Sequence, residues 1–179
     1  MMELLKPMSP AMQSMAPRKI AQLLAARVWP RADSSNESWV RHFHERFKYY
    51  PPSWVVEEPD CLIHGDPTIA NCMHGELGGA VLIDPKPPGN GIPSKASVDR
   101  GKILQSLLGW EQHLAGDALA TDTPLPEDLS DDLTLMRALF WCQIHLLRIM
   151  LREGQESYTW NWAKERMVRV QQLIDGDCT

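Results

Sequence analysis

Apolar side chains recur every three or four positions over most of this chain, which is the spacing of amphipathic helices. The pattern predicts helices over residues 17–28, from Ser34 to the break at Pro51, and over 99–111, 133–151 and 160–174. Residues 117–132 are polar and lack either period, so they are expected to form a surface connection. Arg137 and His145 interrupt the most apolar stretch, which favours a buried helix over a membrane span.

Between Cys61 and Pro88 the pattern changes to short apolar runs separated by glycine-rich turns. Such runs are typical of short strands, and they predict strands over 61–63, 71–73 and 80–83, the last two forming a hairpin. Pro85 should bias Asp84 towards an extended backbone and end the second strand of the hairpin. We therefore expect a mainly α fold with a small β-hairpin, in a single domain over residues 1–179.

Composition and charge narrow the class of protein. The 179 residues are 44% hydrophobic and 23% charged, a balance typical of a globular domain with a sizeable core. The net charge of −5 argues against nucleic acid or an anionic membrane as a partner. The four cysteines are widely spaced, and the first thirty residues lack the apolar core of a signal peptide, so a cytoplasmic protein with free thiols is expected.

The densest polar cluster is His64-Gly65-Asp66-Pro67-Thr68-Ile69-Ala70-Asn71, followed after the hairpin by Ile83-Asp84-Pro85. Transfer of a phosphoryl group needs a carboxylate to orient or deprotonate the acceptor hydroxyl, and oxygen ligands to hold magnesium against the phosphates. Asp66, Asn71 and Asp84 carry those atoms, and the hairpin would bring Asp84 beside Asn71. The alternative is a turn without a catalytic role, in which Asp66 and Asn71 only satisfy local backbone donors.

These residues resemble the catalytic loop H-G-D-x-x-x-x-N and the metal-binding Asp of the aminoglycoside phosphotransferase and choline kinase-like family, relatives of the protein kinases. The resemblance extends from about Leu62 to Trp110 and implies the C-terminal lobe of that fold, with the catalytic loop and metal hairpin in residues 61–88 and helices in the remainder. It implies ATP and Mg²⁺ as cofactors and a small-molecule hydroxyl as acceptor. The implied roles are the catalytic base for Asp66, loop ordering for His64, magnesium ligation for Asn71 and Asp84, cofactor contact for Lys86, and an internal brace for Asp99.

The family's N-terminal lobe has no counterpart here, because no glycine precedes Gly65 and none of Lys6, Lys19 and Lys48 lies in an alternating strand. Met2–Leu5 resembles the family's hinge strand, as if the chain began there. We therefore expect a partner protein that supplies the lobe, or a homodimer, to complete the nucleotide site. The alternatives are a catalytically inactive binding or regulatory module and one half of a split enzyme.

Two other features have competing interpretations. Lys86 and Lys95 flank the expected metal site, where they could contact phosphate or an acidic acceptor, although loop lysines are more often solvated. The seven tryptophans fall mostly at helical core spacing, which favours packing over ligand stacking.

Overall fold

The computed structural model describes residues 6–7, 36–74, 80–86, 91–116 and 132–175, and most of these residues are helical. The mainly α class with a small antiparallel sheet is thus confirmed. The helix expected over 17–28 and the connection at 117–131 lie outside the described residues, as does Ser34. The described α-helices are α1 (Asn36–Phe47), α2 (Ser53–Val56), α3 (Ala96–Leu107), α4 (Trp110–Ala115), α5 (Asp132–Arg152) and α6 (Tyr158–Asp175).

The chain divides into two compact units, one up to Asp99 and one from Arg100 onward. The division falls inside α3, so the first turn of that helix belongs to the first unit. All described residues of the candidate site lie in the first unit.

The first unit contains the sheet, with strands β1 (Lys6–Pro7), β2 (Cys72–His74) and β3 (Ala80–Leu82) in the order β1-β2-β3. The predicted hairpin is present, with β2 and β3 antiparallel, Cys72 opposite Leu82 and Met73 opposite Val81. β1 pairs with the other edge of β2 and was not expected, since a Lys-Pro pair has no strand pattern of its own. The expected hinge strand at Met2–Leu5 lies outside the described residues.

The strand predicted over 61–63 is wrong. This segment has no regular structure, and its Cys61 backbone nitrogen donates a 2.8 Å hydrogen bond to the carbonyl oxygen of Ser94. Ile63 is buried, so the apolar residues of this run are explained by burial in a loop and not by strand pairing.

Aromatic residues of α1 form much of the first unit's core. Trp39, Phe43 and Phe47 lie on one face and are all buried, with ring centroids 6.1 Å apart for the first pair and 4.7 Å for the second. Their spacing of four residues explains both the helix and its buried face.

The second unit has a separate core between α5 and α6. Its buried residues are Leu104, Ala138, Leu139, Cys142, Leu146, Ile149, Trp162, Ala163 and Val170. Residues 133–152 of α5 have the length and hydropathy of a candidate membrane span, and 50% of that window is buried inside the protein. The helix expected here is present, Trp162 packs in this core, and Trp141 is buried.

The helix expected over 99–111 is interrupted. α3 ends at Leu107, and Gly109 adopts a φ of 91° before α4 begins at Trp110. Only glycine adopts this backbone conformation without steric cost, so the chain turns between two helices that share one apolar period.

Candidate active site

The candidate catalytic loop runs from His64 to Asn71 and ends in a 3₁₀ turn, Ile69–Asn71, that leads directly into β2. The Thr68 nitrogen donates to the Asp66 carbonyl oxygen at 2.8 Å, and the Asn71 nitrogen donates to the Thr68 carbonyl oxygen at 3.0 Å. Pro67, Thr68 and Ile69 are buried. The loop is thus folded back on itself, with its middle residues buried and Asn71 close to Asp66.

Asn71 connects the loop to the hairpin. Its side-chain nitrogen donates to the Asp66 carbonyl oxygen at 2.8 Å and to the Asp66 carboxylate at 3.2 Å. Its backbone carbonyl oxygen accepts a 2.9 Å hydrogen bond from the nitrogen of Ile83, the residue before Asp84. Asp66, Asn71 and the end of β3 are therefore brought together, as the hairpin predicts. A turn with a purely structural role would contain the same hydrogen bonds, so the loop geometry alone does not distinguish the structural from the catalytic interpretation.

Asp84 does not have the extended backbone expected before proline. Its φ is 55°, in the left-handed region, which is uncommon for any residue with a side chain. Asp tolerates this region better than most residues, and here the turn at Asp84 follows Ile83, the first residue after β3. The pre-proline preference of Asp84 is therefore overridden in the folded protein.

Lys86 lies across the two acids. Its side-chain ammonium hydrogen-bonds the Asp66 carboxylate and lies 3.6 Å from an Asp84 carboxylate oxygen. The hydrogen bond to Asp66 raises the pKa of Lys86, so the ammonium form is favoured. The expected proximity of Lys86 to the site is thus present, but its partners here are the carboxylates.

Gly65 allows the loop to approach the segment after β3 closely. A Cβ atom at this position would lie 2.0 Å from the backbone carbonyl oxygen of Lys86, and the Gly65 φ is +81°. Both observations require glycine. The Lys86 nitrogen also donates to the His64 carbonyl oxygen at 2.7 Å, so the two segments are held together through their backbones.

Asp99, in the first turn of α3, lies directly behind the loop. Its two carboxylate oxygens accept hydrogen bonds from the backbone nitrogens of His64 at 2.7 Å and Gly65 at 2.8 Å. The contacts expected of an internal brace are therefore present. Burial raises the pKa of Asp99 to about 7, against the two backbone hydrogen bonds, which favour the charged form.

His64 is fully buried and its ring nitrogen Nδ1 accepts a 3.4 Å hydrogen bond from the Asp66 backbone nitrogen. Burial lowers the pKa of His64, while a hydrogen bond with the Ile83 backbone and the charges of Asp66 and Asp84 act in the opposite direction. Through this hydrogen bond the His64 ring holds the Asp66 backbone nitrogen at the start of the loop.

The donor set suits magnesium better than a metal held entirely by protein. Within the described residues, no group of three or more His, Cys, Asp or Glu side chains could hold a metal ion. Magnesium needs fewer protein ligands, since it is commonly held by one or two carboxylates together with waters and substrate phosphates. The Asp84 carboxylate meets that need, and Asn71 can add its amide oxygen because its amide nitrogen is turned towards Asp66.

Of the two interpretations of Lys95, solvated loop lysine or contact with phosphate or an acidic acceptor, the solvated one is wrong. Its side chain is fully buried, and its ammonium hydrogen-bonds the Glu58 carbonyl oxygen and lies 3.2 Å from the Asp60 carboxylate. The buried Glu58 carboxylate in turn accepts hydrogen bonds from the Ser97 backbone nitrogen, at 3.0 Å, and from the Ser97 hydroxyl. We call Glu58, Asp60, Lys95 and Ser97 the buried polar network.

The buried polar network joins the segment that enters the loop to the start of α3, which carries Asp99. Sequence reasoning missed it because Glu58 and Ser97 are 39 positions apart and no local motif connects them. The only available signal was Glu58 and Asp60 just before the apolar run, which is too common to indicate a partner.

Comparison with known proteins adds no relative. No protein-family model matches the sequence, and no curated protein or solved structure is similar to it at a significant level.

Proposed function

We propose that this protein transfers the γ-phosphate of ATP to a hydroxyl group of a small molecule, in a reaction that depends on magnesium. The observation that carries the proposal is the convergence of Asp66, Asn71 and Asp84. Asn71 hydrogen-bonds the Asp66 carboxylate through its side chain at 3.2 Å, and its carbonyl oxygen bonds the residue before Asp84 at 2.9 Å. Two acids and an amide at one point are the groups that phosphoryl transfer requires.

In the proposed reaction, the Asp66 carboxylate accepts a hydrogen bond from the acceptor hydroxyl and takes its proton as the oxygen attacks the γ-phosphorus. The new O–P bond forms as the bond from the γ-phosphorus to the ADP oxygen breaks, so ADP leaves with the bonding electrons. Asn71 and Asp84 would hold magnesium, which neutralises charge on the phosphates when bound. Asp99 and His64 keep the loop backbone in place and touch no reacting atom.

A partner chain or a second copy of this chain is part of the proposal. Residues 1–64 contain no glycine, so this stretch offers no glycine-rich loop to cover the phosphates. Without such a cover the phosphates stay open to water, and electrostatic stabilisation of the transferring group is weaker. Sedimentation with and without Mg-ATP measures whether a dimer forms on nucleotide binding.

A second candidate function is a binding module without catalysis. One contact favours it. The Lys86 ammonium hydrogen-bonds the Asp66 carboxylate, and a catalytic base needs that carboxylate to accept a hydrogen bond from the acceptor hydroxyl. In that case the protein would bind nucleotide or another ligand without turnover. The two candidates differ in ATP consumption and not in binding.

The test uses two isosteric variants, Asp66→Asn and Asp84→Asn, with Asp175→Asn as a control on an exposed residue of the second unit. Phosphorylation of a panel of hydroxyl-bearing small molecules is followed by ³¹P NMR, and binding of Mg-ATP by the shift in melting temperature. Asp66→Asn should reduce turnover at least about a hundredfold with little loss of Mg-ATP binding. Asp84→Asn should lose the Mg-ATP shift.

Wild-type protein that is stabilised by Mg-ATP but phosphorylates nothing, alone or with a second chain, favours the binding module. Protein that shows no Mg-dependent nucleotide binding contradicts the proposed function, since Asp84 then holds no metal.

A further inference from the structure

Backbone contacts with the catalytic loop fix the position of Lys86. Its nitrogen donates to the His64 carbonyl oxygen at 2.7 Å, and its carbonyl oxygen lies against Gly65, where even a Cβ would not fit. The root of this side chain is therefore held against the catalytic loop. Because the backbone of Lys86 is already ordered, placing its ammonium near the loop costs little further backbone entropy.

The ammonium lies where the charges of two separate segments meet. It hydrogen-bonds Asp66 on the loop and lies 3.6 Å from Asp84 at the end of β3. Two carboxylates brought this close repel each other unless a cation lies between them, and a lysine ammonium is a compact point charge suited to that position. Among the described residues, these are also the two acids that the proposed function uses.

We propose that Lys86 is the internal counter-cation of the Asp66–Asp84 pair, and that a divalent ion enters efficiently only with a nucleotide phosphate that draws the ammonium away. The inference rests on the proposed function and adds a regulation of the same site. Lys86 is able to move, because its side chain is 54% exposed and is not part of the core. A divalent ion alone would meet a positive charge in its place, whereas a phosphate offers that charge a new partner.

The two binding events are therefore coupled, and the coupling is reciprocal. A bound nucleotide favours metal binding, because its phosphate draws the Lys86 ammonium away from the two acids. A bound metal favours nucleotide binding in turn, because the displaced ammonium is then free to pair with the phosphate. In the absence of nucleotide the lysine keeps Asp66 occupied, so the base is available only when the phosphate donor is bound.

The variant Lys86→Met tests the inference because it should change two affinities in opposite directions. Binding of Mn²⁺ alone, measured by electron paramagnetic resonance of the free ion, should tighten about tenfold when the competing charge is removed. Binding of Mg-ATP, measured by calorimetry, should weaken about tenfold because the phosphate loses its ammonium partner. The control Lys164→Met removes the same charge from an exposed position in α6 and should change neither affinity.

A loss of both affinities in Lys86→Met would mean that the residue has a merely structural role, and it overturns the inference. Unchanged Mn²⁺ affinity with weaker Mg-ATP binding also overturns it, since Lys86 would then contact phosphate without guarding the acids. Either result leaves the proposed function standing if Asp84→Asn still abolishes Mg-ATP binding. Absence of Mn²⁺ and nucleotide binding in wild type and variant alike overturns both proposals together.

Discussion

The Asp99 carboxylate accepts a 2.7 Å hydrogen bond from the backbone nitrogen of His64, a residue 35 positions earlier in the chain. A second bond of 2.8 Å reaches the nitrogen of Gly65, so one side chain satisfies two successive backbone donors at the start of the loop. Buried backbone donors are costly when unsatisfied, and the bonds therefore hold the loop to the first turn of α3.

The titration of Asp99 should be visible in the stability of the protein. Burial raises the pKa of Asp99 from 3.8 to about 7, so between these values the folded protein binds more protons than the unfolded chain. The contribution of Asp99 to the free energy of unfolding therefore falls as the pH rises from about 4 to about 7, and is level above that. Asp99→Asn has no such titration.

We expect the difference in unfolding free energy between wild type and Asp99→Asn to shrink over that pH range, as measured by urea denaturation. A difference that grows with pH would show that the hydrogen bonds from His64 and Gly65 outweigh burial, and would contradict the raised pKa. Asp175→Asn, at an exposed end of α6, serves as the control for the loss of one carboxylate outside the loop.

A glycine series separates steric conflict from backbone strain in the loop. Gly65→Ala places a Cβ 2.0 Å from the Lys86 carbonyl oxygen and also keeps a φ of +81°, so we expect a loss of well over about 2 kcal/mol in stability. Gly116→Ala has a similar φ of +74° with nothing within 4 Å, and should lose only about 1 kcal/mol from strain. Gly154→Ala has neither problem.

Urea denaturation of the three variants measures the series. The expected order of destabilisation is Gly65→Ala, then Gly116→Ala, then Gly154→Ala, with the last near zero or slightly stabilising. Equal losses for the first two would mean that the Lys86 segment moves aside, and that the contact between loop and hairpin is loose.

A glycine inside α3 marks a close approach of two helices in the second unit. Ala is about 1 kcal/mol more favourable than Gly in an isolated helix, yet a Cβ at Gly101 would lie 2.6 Å from the Trp141 Cβ and 2.7 Å from the Cys142 nitrogen. Gly101→Ala should therefore destabilise the protein by about 1–3 kcal/mol, as for other overpacked cores. Thermal unfolding checks the sign, and a gain in melting temperature would contradict the packing of α3 on α5.

The buried polar network should be sensitive to loss of its cation. Lys95→Met leaves the Asp60 carboxylate and the Glu58 carbonyl oxygen without their ammonium, which should cost about 3–5 kcal/mol. The double variant Lys95→Met with Asp60→Asn should recover part of that loss, because it removes the stranded charge. Lys164→Met, which is exposed, should cost little.

Chemical denaturation of these variants, analysed as a double-mutant cycle, gives the coupling between Lys95 and Asp60. Additive losses would mean that the two charges do not interact in solution. A coupled result would show that the segment entering the loop is tied to α3 at this point as well as at Asp99.

The sequence alone located several of the described elements of this protein and the residue types of its candidate site. Helical period located α1, α5 and α6, and alternating turns and apolar runs located the hairpin, because both patterns are set by neighbours within a few residues. Asp66, Asn71 and Asp84 were found by residue type and spacing, and the Asp99 contacts were expected only from a family resemblance.

Only the tertiary structure decided the backbone of Asp84, the burial of Lys95 and the pairing of Lys86 with two acids. Lys95 meets Glu58 and Asp60 at separations of 37 and 35 positions, and Lys86 meets Asp66 at a separation of 20. Local preferences, including that of a residue before proline, amount to about a kcal/mol, and packing over such distances overrides them. The residue types of the site are thus a local property of the chain, while their partners and charges are a property of the fold.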